Sequence, residues 1–466
     1  MNNTLSTYSR FVKESENKAF DREHRQTINF NMSKYDAAVA AGKLQYRDLE
    51  LAKKKAAVIK HKVINELDRY LIEFEKNFEE RGGKVIWALD AADAVKAVLD
   101  IAKKHRTKLV VKSKSMVTEE IELNKHLEKN KTEVVETDLG EYIVQLAGQA
   151  PYHIVTPAMH FSKEDVARLF HEKHGLPENS SPEKITLFVR KILKEKFYKA
   201  DIGISGANFL VAGSGSVALT ENEGNGMMSV SFPKIHIVIT GIEKVIPSLS
   251  DLDLFWPLLA THGTGQRLSA YNSVISGPKH EKEADGPEAM YVILLDNRRS
   301  NLLEKPLQRR ALTCIRCGAC LNACPVYKNI GGHTYGTTYS GPIGAVISPF
   351  MNDFEKYKHL SFASSLCGSC TEVCPVKINL HELLLHNRNE AVKRGNQPYA
   401  EKMSMKVMKW FMMKRKRIDI HGAFTKNFIL RNFFKKAWGR RRELPKVQPK
   451  SFKELWEERK GEKIIS

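Results

Sequence analysis

Cysteine is absent from this 466-residue chain until position 314. A scaffold stapled by disulfides along its length is therefore excluded. Long apolar runs are missing as well, and none approaches the ~18 residues that span a bilayer. The opening MNNTLSTYSRFVKESENKAF has no apolar core of the kind a secretory leader needs. These absences predict a cytoplasmic protein with reduced thiols. No G-x-G-x-x-G opens a helix after a strand, and no P-loop lysine follows a glycine run, so nothing marks a bound FAD, NAD or nucleotide triphosphate. With 42% hydrophobic and 27% charged residues, the chain reads as globular. Its 466 residues are too many for one core, which implies two or three domains.

Acidic residues are scarce relative to basic ones, 54 against 74, for a net charge of +20. Such a balance suggests nucleic acid, a membrane surface or an acidic partner. Its location narrows the choice. From Ala391 to Ser466 there are 22 Lys and Arg against 7 Asp and Glu, a net of +15, so the body is close to neutral. The tail carries Met403, Met405, Val407, Met408, Trp410, Phe411, Met412 and Met413 ahead of KRKR at 414–417. Phe424, Phe428, Phe433, Phe434 and Trp438 then lie among Lys426, Arg431, Lys435 and Lys436. Basic amphipathic segments of this kind dock a partner or lie on anionic membrane. Docking, to a partner or to the protein's own body, is the preferred reading. A peripheral membrane contact comes second, and no base-reading module supports nucleic acid.

The seven cysteines form two groups: Cys314, Cys317, Cys320 and Cys324, then Cys367, Cys370 and Cys374. The first reads C-x2-C-x2-C-x3-C-P and the second C-x2-C-x3-C-P, closing on Pro325 and Pro375. Structural zinc favours two separated C-x2-C pairs around a tetrahedron. Three thiolates at intervals of three, with a trailing proline, match the two-cluster ferredoxin run instead, in which the fourth cysteine ligates the other cluster. Crossing the ligands gives a first cluster on Cys314, Cys317, Cys320 and Cys374. A second then rests on Cys324, Cys367 and Cys370. Both are expected to be 4Fe-4S, with 3Fe-4S as the alternative for the second. A complete second run would have another cysteine where Ser364 stands. The last iron could take Ser364, water, another side chain or a partner's group. A loop serine without metal contact is the preferred reading of Ser364. His333, His381 and His386 are read as packed or solvated, and Tyr327, Tyr335 and Tyr339 as shields for the clusters.

Before residue 300 the rhythm differs. Ile59, Val63, Leu67, Leu71, Phe74 and Phe78 lie on one face of a long helix, stopped by Gly82-Gly83. KVIWAL (84–89), KLVVK (108–112), EVVETD (133–138) and HIVTP (153–157) then alternate as β-rich runs with helical segments, implying parallel βαβ units. Ser162 with Asp165 three residues later opens one helix. From 201 the pattern becomes strand-rich. Gly213-Ser214-Gly215-Ser216, running on to Glu221 and Glu223, is read as a tight hairpin with solvated acids. The alternative is a ligand loop with acid–base carboxylates. Lys108, Lys112 and Lys114 with Ser113 and Ser115 stand at a strand-to-helix junction that either binds an anion or is simply solvated.

Together KSKSMVTEEIELNKHLE, VVETDLGEYIVQL, PYHIVTPAMH and GANFLVAGSGSVALTENEGN resemble the lactate-utilization (LUD) domain. The cysteine groups after them resemble the dicluster module of the lactate-utilization protein B family. The resemblance spans roughly residues 45–395. It implies an α/β domain with a parallel sheet akin to sugar isomerases and CoA transferases, then a mainly helical two-cluster ferredoxin-type domain; the basic tail behind, read as helical from its own residues, lies outside the resemblance. The expected divisions are a helical extension at 1–82, the LUD domain at 83–298, the iron–sulfur domain at 299–395 and the tail at 396–466. The resemblance further implies an electron-transfer subunit in a system oxidising L-lactate to pyruvate. Its partners would be the other lactate-utilization subunits, an electron donor and a respiratory-chain acceptor. The rival expectation is an enzyme in its own right, acting through an open-iron cluster or the LUD pocket.

Overall fold

The computed structural model describes residues 6–395, 399–419, 422–435, 439 and 442–464. These form two compact units, 1–391 and 392–466.

In the first unit, four helices precede the sheet: α1 (Thr7–Phe20), α2 (Arg22–Lys43), α3 (Leu49–Asn65) and α4 (Leu67–Glu79). The apolar face read as one long helix is thus carried by two. The chain breaks at Glu66, with φ −119° and ψ 36°. The break serves two cores. Ala56 and Ile64 pack with the cysteine region, while Val63, Leu67, Phe74 and Phe78 pack under the sheet. Each such buried side chain contributes about 1.5–3 kcal/mol.

Six parallel strands follow: β1 (Lys84–Ala88), β2 (Leu109–Lys112), β3 (Glu133–Glu136), β4 (Ile202–Ser205), and later β7 (Ile235–Gly241) and β10 (Ala289–Leu295). Their order is β1-β10-β7-β4-β2-β3, with Ile235 beside both Ile202 and Ala289. Every residue of β7 is buried, as a strand covered on both faces requires. Ile235, Ile237 and Ile239 meet Val98 and Ile101 of α5 (Ala91–Lys104) on one side. Val238 meets Phe74 and Phe78 on the other. A second sheet, of order β8-β5-β6-β9, accounts for the strand-rich stretch. It comprises β5 (Phe209–Val211), β6 (Ser216–Glu221), β8 (Val245–Ile246) and β9 (Tyr271–Ile275).

The helix opened by Ser162 runs over Lys163–His174 and has the full reciprocal cap with Asp165. HIVTP does not form a strand. The His153 ring nitrogen Nδ1 accepts the Val155 and Thr156 amides at 3.1 and 3.3 Å. Those amides are thereby turned inward, away from any ladder.

The cysteine region is built of short helices and turns closed by two longer helices, Gly341–Met351 and Leu380–Lys393. Its core is continuous with α2, α3 and the helix Leu252–Thr264, through Ile28, Met32, Phe255 and Leu258. Among the described residues no helix is long and apolar enough to cross a membrane. The second unit consists of helices over Tyr399–Met412, Arg415–Asp419, Ala423–Ile429 and Phe452–Ile464, with a π-turn at Leu430–Phe434. Trp410, Phe424, Phe428 and Phe433 are exposed on it. Lys436 and Trp438 lie outside the described residues.

Candidate functional site

Each cysteine group is held by the same local geometry. The residue before Cys317 and the residue before Cys367 are both left-handed, Arg316 at φ 62° and Leu366 at φ 55°. The residue after each of these cysteines is glycine, Gly318 at φ 80° and Gly368 at φ 84°, where a side chain would be strained. A four-residue helix follows in each, Ala319–Asn322 and Ser369–Glu372. Backbone amides then reach the sulfurs. Arg316 N donates to Cys314 Sγ at 3.4 Å, Tyr327 N to Cys324 Sγ at 3.5 Å and Ile378 N to Cys374 Sγ at 3.3 Å.

The thiols fall into two environments. Burial first, then Cys314, Cys317 and Cys374, pushes the Cys320 thiol well up. Burial likewise raises Cys374 to about 12, with Cys314 a further cause. Cys314, Cys317, Cys320 and Cys374 line one small cavity. Burial raises Cys370 to about 11, with Cys324 and Cys367 as further causes. Cys367 is exposed and is lowered, chiefly by the Ser369 hydroxyl. A tetrahedral zinc at Zn–S ~2.3 Å needs sulfurs under ~4 Å apart. Among the described residues, the one trio of potential ligands within 4.8 Å of one another is Glu119, Glu136 and Glu141. No three of the described thiols lie that close to one another, so they do not fit a single tetrahedral zinc.

Tyr327 and Tyr335 are buried in the same core as the cysteines. Tyr327 donates to the Tyr152 carbonyl at 2.7 Å. The Tyr335 phenol is pushed well up by burial, with Cys324 and Cys320 as further causes. Tyr339 is turned toward Glu120, donating at 2.7 Å. His333 bonds the Ala150 carbonyl and His381 the Thr371 hydroxyl, both at 2.7 Å. His386 is half-buried.

Behind the first cysteine loop lies a buried ion cluster that no sequence spacing announces. Arg299 donates from Nε to Glu243 at 2.6 Å, and from its two Nη atoms to Glu120 at 3.0 and 2.9 Å. Arg316, inside the first C-x2-C, reaches Glu243 at 3.4 Å and stacks over Tyr339 at 4.3 Å. Lys60 donates to the carbonyls of Glu243 and Val245 at 2.7 and 3.1 Å.

At the C-terminal ends of the parallel strands, where α/β sheets bind ligands, a cavity of about 630 Å³ opens against this loop. Lys114, Ser113, Ser115, Glu221 and Glu223 line it, together with Lys244, Arg316 and Cys317. The basic junction is therefore divided. Lys108 is exposed, and Lys112 is fully buried on Glu136 at 2.8 Å and Glu119 at 3.2 Å; only Lys114 faces the cavity. Glu221 is no solvated acid, since it accepts the Gly226 and Met227 amides at 2.5 and 2.8 Å at a helix N-terminus. Burial, then Asp138, pushes Glu223 up to about 7. Gly215 serves packing rather than a ligand. A Cβ there would come within 2.3 Å of the Asn77 and Phe78 backbone.

Residues 71–295 match the model of the LUD domain, and residues 310–378 match that of the 4Fe-4S dicluster domain. Lactate utilization protein B of Bacillus licheniformis is 42% identical over 449 residues, covering 91% of this chain and 93% of that protein. Its namesake in Bacillus subtilis is 48% identical over 351 residues, covering 75% and 73%. A crystal structure of a DUF162 family protein from Deinococcus radiodurans covers 49% of this chain and 98% of its own, at 12% identity and a TM-score of 0.28. With its parallel-sheet α/β domain followed by a ferredoxin-type iron–sulfur region, the chain belongs to the lactate utilization protein B family.

Proposed function

We propose that this chain is the iron–sulfur electron-transfer subunit of a multi-subunit system that oxidises L-lactate to pyruvate. Cys314, Cys317, Cys320 and Cys374 would hold one 4Fe-4S cluster, and Cys324, Cys367 and Cys370 a second. The observation that carries this reading is the crossed grouping of the thiols, in which Cys374 of the second group lines one small cavity with Cys314, Cys317 and Cys320 of the first. Bound there, such clusters supply one-electron transfer. The protein's part is to bury the first set of thiols, aim amides at sulfur and exclude water. Arg316 adds positive charge beside Cys314. At the second set Cys367 is exposed, which gives a partner access there.

The donor would be a flavin or other centre in a partner subunit, and the acceptor a component of the respiratory chain. The site of action is the cytoplasm, with the basic tail as the docking surface for a partner or for the inner face of the membrane. The names of the relatives support lactate utilization as the setting. The test is L-lactate added anaerobically to the isolated, cluster-loaded protein. No bleaching of its visible absorbance is expected until the partner subunits are supplied. Reduction by lactate alone overturns this division of labour.

A second reading, catalysis within the chain, is favoured by the cavity, where Glu223 is poised at about 7 beside Lys114 and Lys244. Glu221→Gln and Glu223→Gln decide it. Loss of turnover with clusters that still reduce chemically supports catalysis in the LUD domain, and full turnover removes it.

A further inference from the structure

The two cysteine groups are a structural repeat offset by fifty residues, and the repeat includes one position that is not cysteine. Leu321 N bonds Gly318 O at 2.9 Å, and Thr371 N bonds Gly368 O at 2.8 Å. Ala323 N bonds Ala319 O at 3.0 Å, and Val373 N bonds Ser369 O at 3.1 Å. Cys324 N bonds Leu321 O at 3.2 Å, and Cys374 N bonds Thr371 O at 3.3 Å. The left-handed pairs Arg316/Leu366 and Gly318/Gly368 agree within a few degrees.

At the head of the first loop, Arg316 N donates to Cys314 Sγ at 3.4 Å. At the head of the second, Leu366 N donates to Ser364 Oγ at 3.1 Å. The serine oxygen therefore occupies the place of the ligand sulfur and receives the same amide. The shorter distance is the ordinary difference between oxygen and sulfur acceptors. Helix Leu380–Lys393 fixes the loop in this conformation, because Arg388 donates to the carbonyls of Ser361 and Ser364 at 2.9 and 3.0 Å. Leu366 keeps a backbone conformation that disfavours a branched side chain, although no cysteine precedes it by two.

We infer that Ser364 Oγ is the fourth protein ligand of the second cluster, completing Cys324, Cys367 and Cys370. This inference rests on the two-cluster reading above and replaces the view of Ser364 as a bystander. On ligation an Fe–O bond forms and the hydroxyl proton leaves to water, Ser364 being partly exposed. No electron is transferred. An alkoxide is a harder donor than a thiolate, so the iron it holds favours the ferric state, and the second cluster has a lower potential than an all-cysteine one.

The test is Mössbauer and electron paramagnetic resonance spectroscopy, with iron counts, on anaerobically purified full-length protein, its Ser364→Ala variant and its Ser364→Cys variant. The unchanged protein should hold about eight iron atoms in two four-iron clusters. Ser364→Ala should fall to about seven, with the signal of an oxidised three-iron cluster, while the first cluster's signal, an internal control for folding, is retained. Ser364→Cys should keep the full iron count and raise the second cluster's potential. A second cluster whose spectra and potential are the same in all three proteins overturns the assignment to Ser364. Three-iron signals already in the unchanged protein overturn it too. A single cluster, or bound zinc, overturns the two-cluster reading instead.

Discussion

Replacing Arg299 by methionine removes the central cation from the ion cluster behind the first cysteine loop. The guanidinium is fully buried and holds Glu243 at 2.6 Å and Glu120 at 2.9 Å. Methionine is of similar length and apolar, so the substitution removes charge more than volume. Glu243 is 1% exposed. Burial alone would raise its carboxyl, yet Arg299, then Arg316 and Lys244, hold it at about 2 against an ordinary 4.5. At ~1.4 kcal/mol per tenfold change in proton affinity, that depression is worth about 3 kcal/mol. Arg299 shares that depression with Arg316 and Lys244, and removing one partner of a buried ion pair costs about 3–5 kcal/mol.

A depressed carboxylate stabilises the fold fully above its unfolded value and loses that contribution only as pH falls toward its folded value. For Glu243 the full effect is present above 4.5 and fades toward about 2, so pH 7.5 is the condition for comparison. Urea denaturation of the cluster-loaded protein, followed by far-ultraviolet circular dichroism, should show Arg299→Met destabilised by about 3 kcal/mol. Adding Glu243→Gln to the same chain should recover part of that loss, because the buried carboxylate left with only the longer 3.4 Å contact to Arg316 is then neutral. A loss below about 1 kcal/mol, or a double variant no more stable than the single one, refutes the account.

Cys374→Ala should abolish the first cluster's resonance and spare the second, whereas Cys324→Ala should do the reverse; the opposite pairing would mean uncrossed ligands. Gly318→Ala places a Cβ 3.0 Å from Val155 and 3.2 Å from His153 at φ +80°. It should lower iron content at the first site, which colorimetric iron analysis reads; unchanged loading would show that the loop can shift. Gly215→Ala meets backbone at 2.3 Å, where nothing flexible can yield, and should cost more than about 2 kcal/mol in urea. Its iron count should stay normal, since Gly215 packs on α4 and not on the cysteines.

What the sequence made legible was local. The cysteine spacing, the strand–helix alternation and the Ser162 cap each depend on residues a few positions apart, and each reappears in the structure. HIVTP misled because its β-branched residues carry strand propensity, while the His153 ring claims the amides a ladder would need. The break at Glu66 was hidden for a different reason. The apolar period runs through it unbroken, and only the presence of two cores, one under each half, explains the kink. The ion cluster joins residues 60, 120, 243, 299 and 316, and separations of that size leave no period to read. The repeat was half visible, since its cysteines align by eye, but the equivalence of Ser364 with Cys314 rests on matched hydrogen bonds.

Beside the first set of thiols the buried ion cluster holds more cations than carboxylates. Arg299, Arg316, Lys60 and Lys244 are all buried, against the carboxylates of Glu243 and Glu120. Burial, with Lys244 and Arg316 as further causes, drives Lys60 down to about 7; burial, with Arg316 and Arg299 as further causes, drives Lys244 down to about 8. Cys314 acts on Lys60, Lys244 and Arg316 in the opposite sense, supporting their charge. Thiols must ionise to hold iron, and burial opposes that at Cys317, Cys320 and Cys374. Arg316, Lys60 and Lys244 stand where they would offset that cost once the first set of thiols holds a cluster. At the second site Cys367 is exposed, and hydrogen bonds from Ser369 already favour its thiolate. The Ser369 hydroxyl and amide do there what arginine and lysine do at the first site.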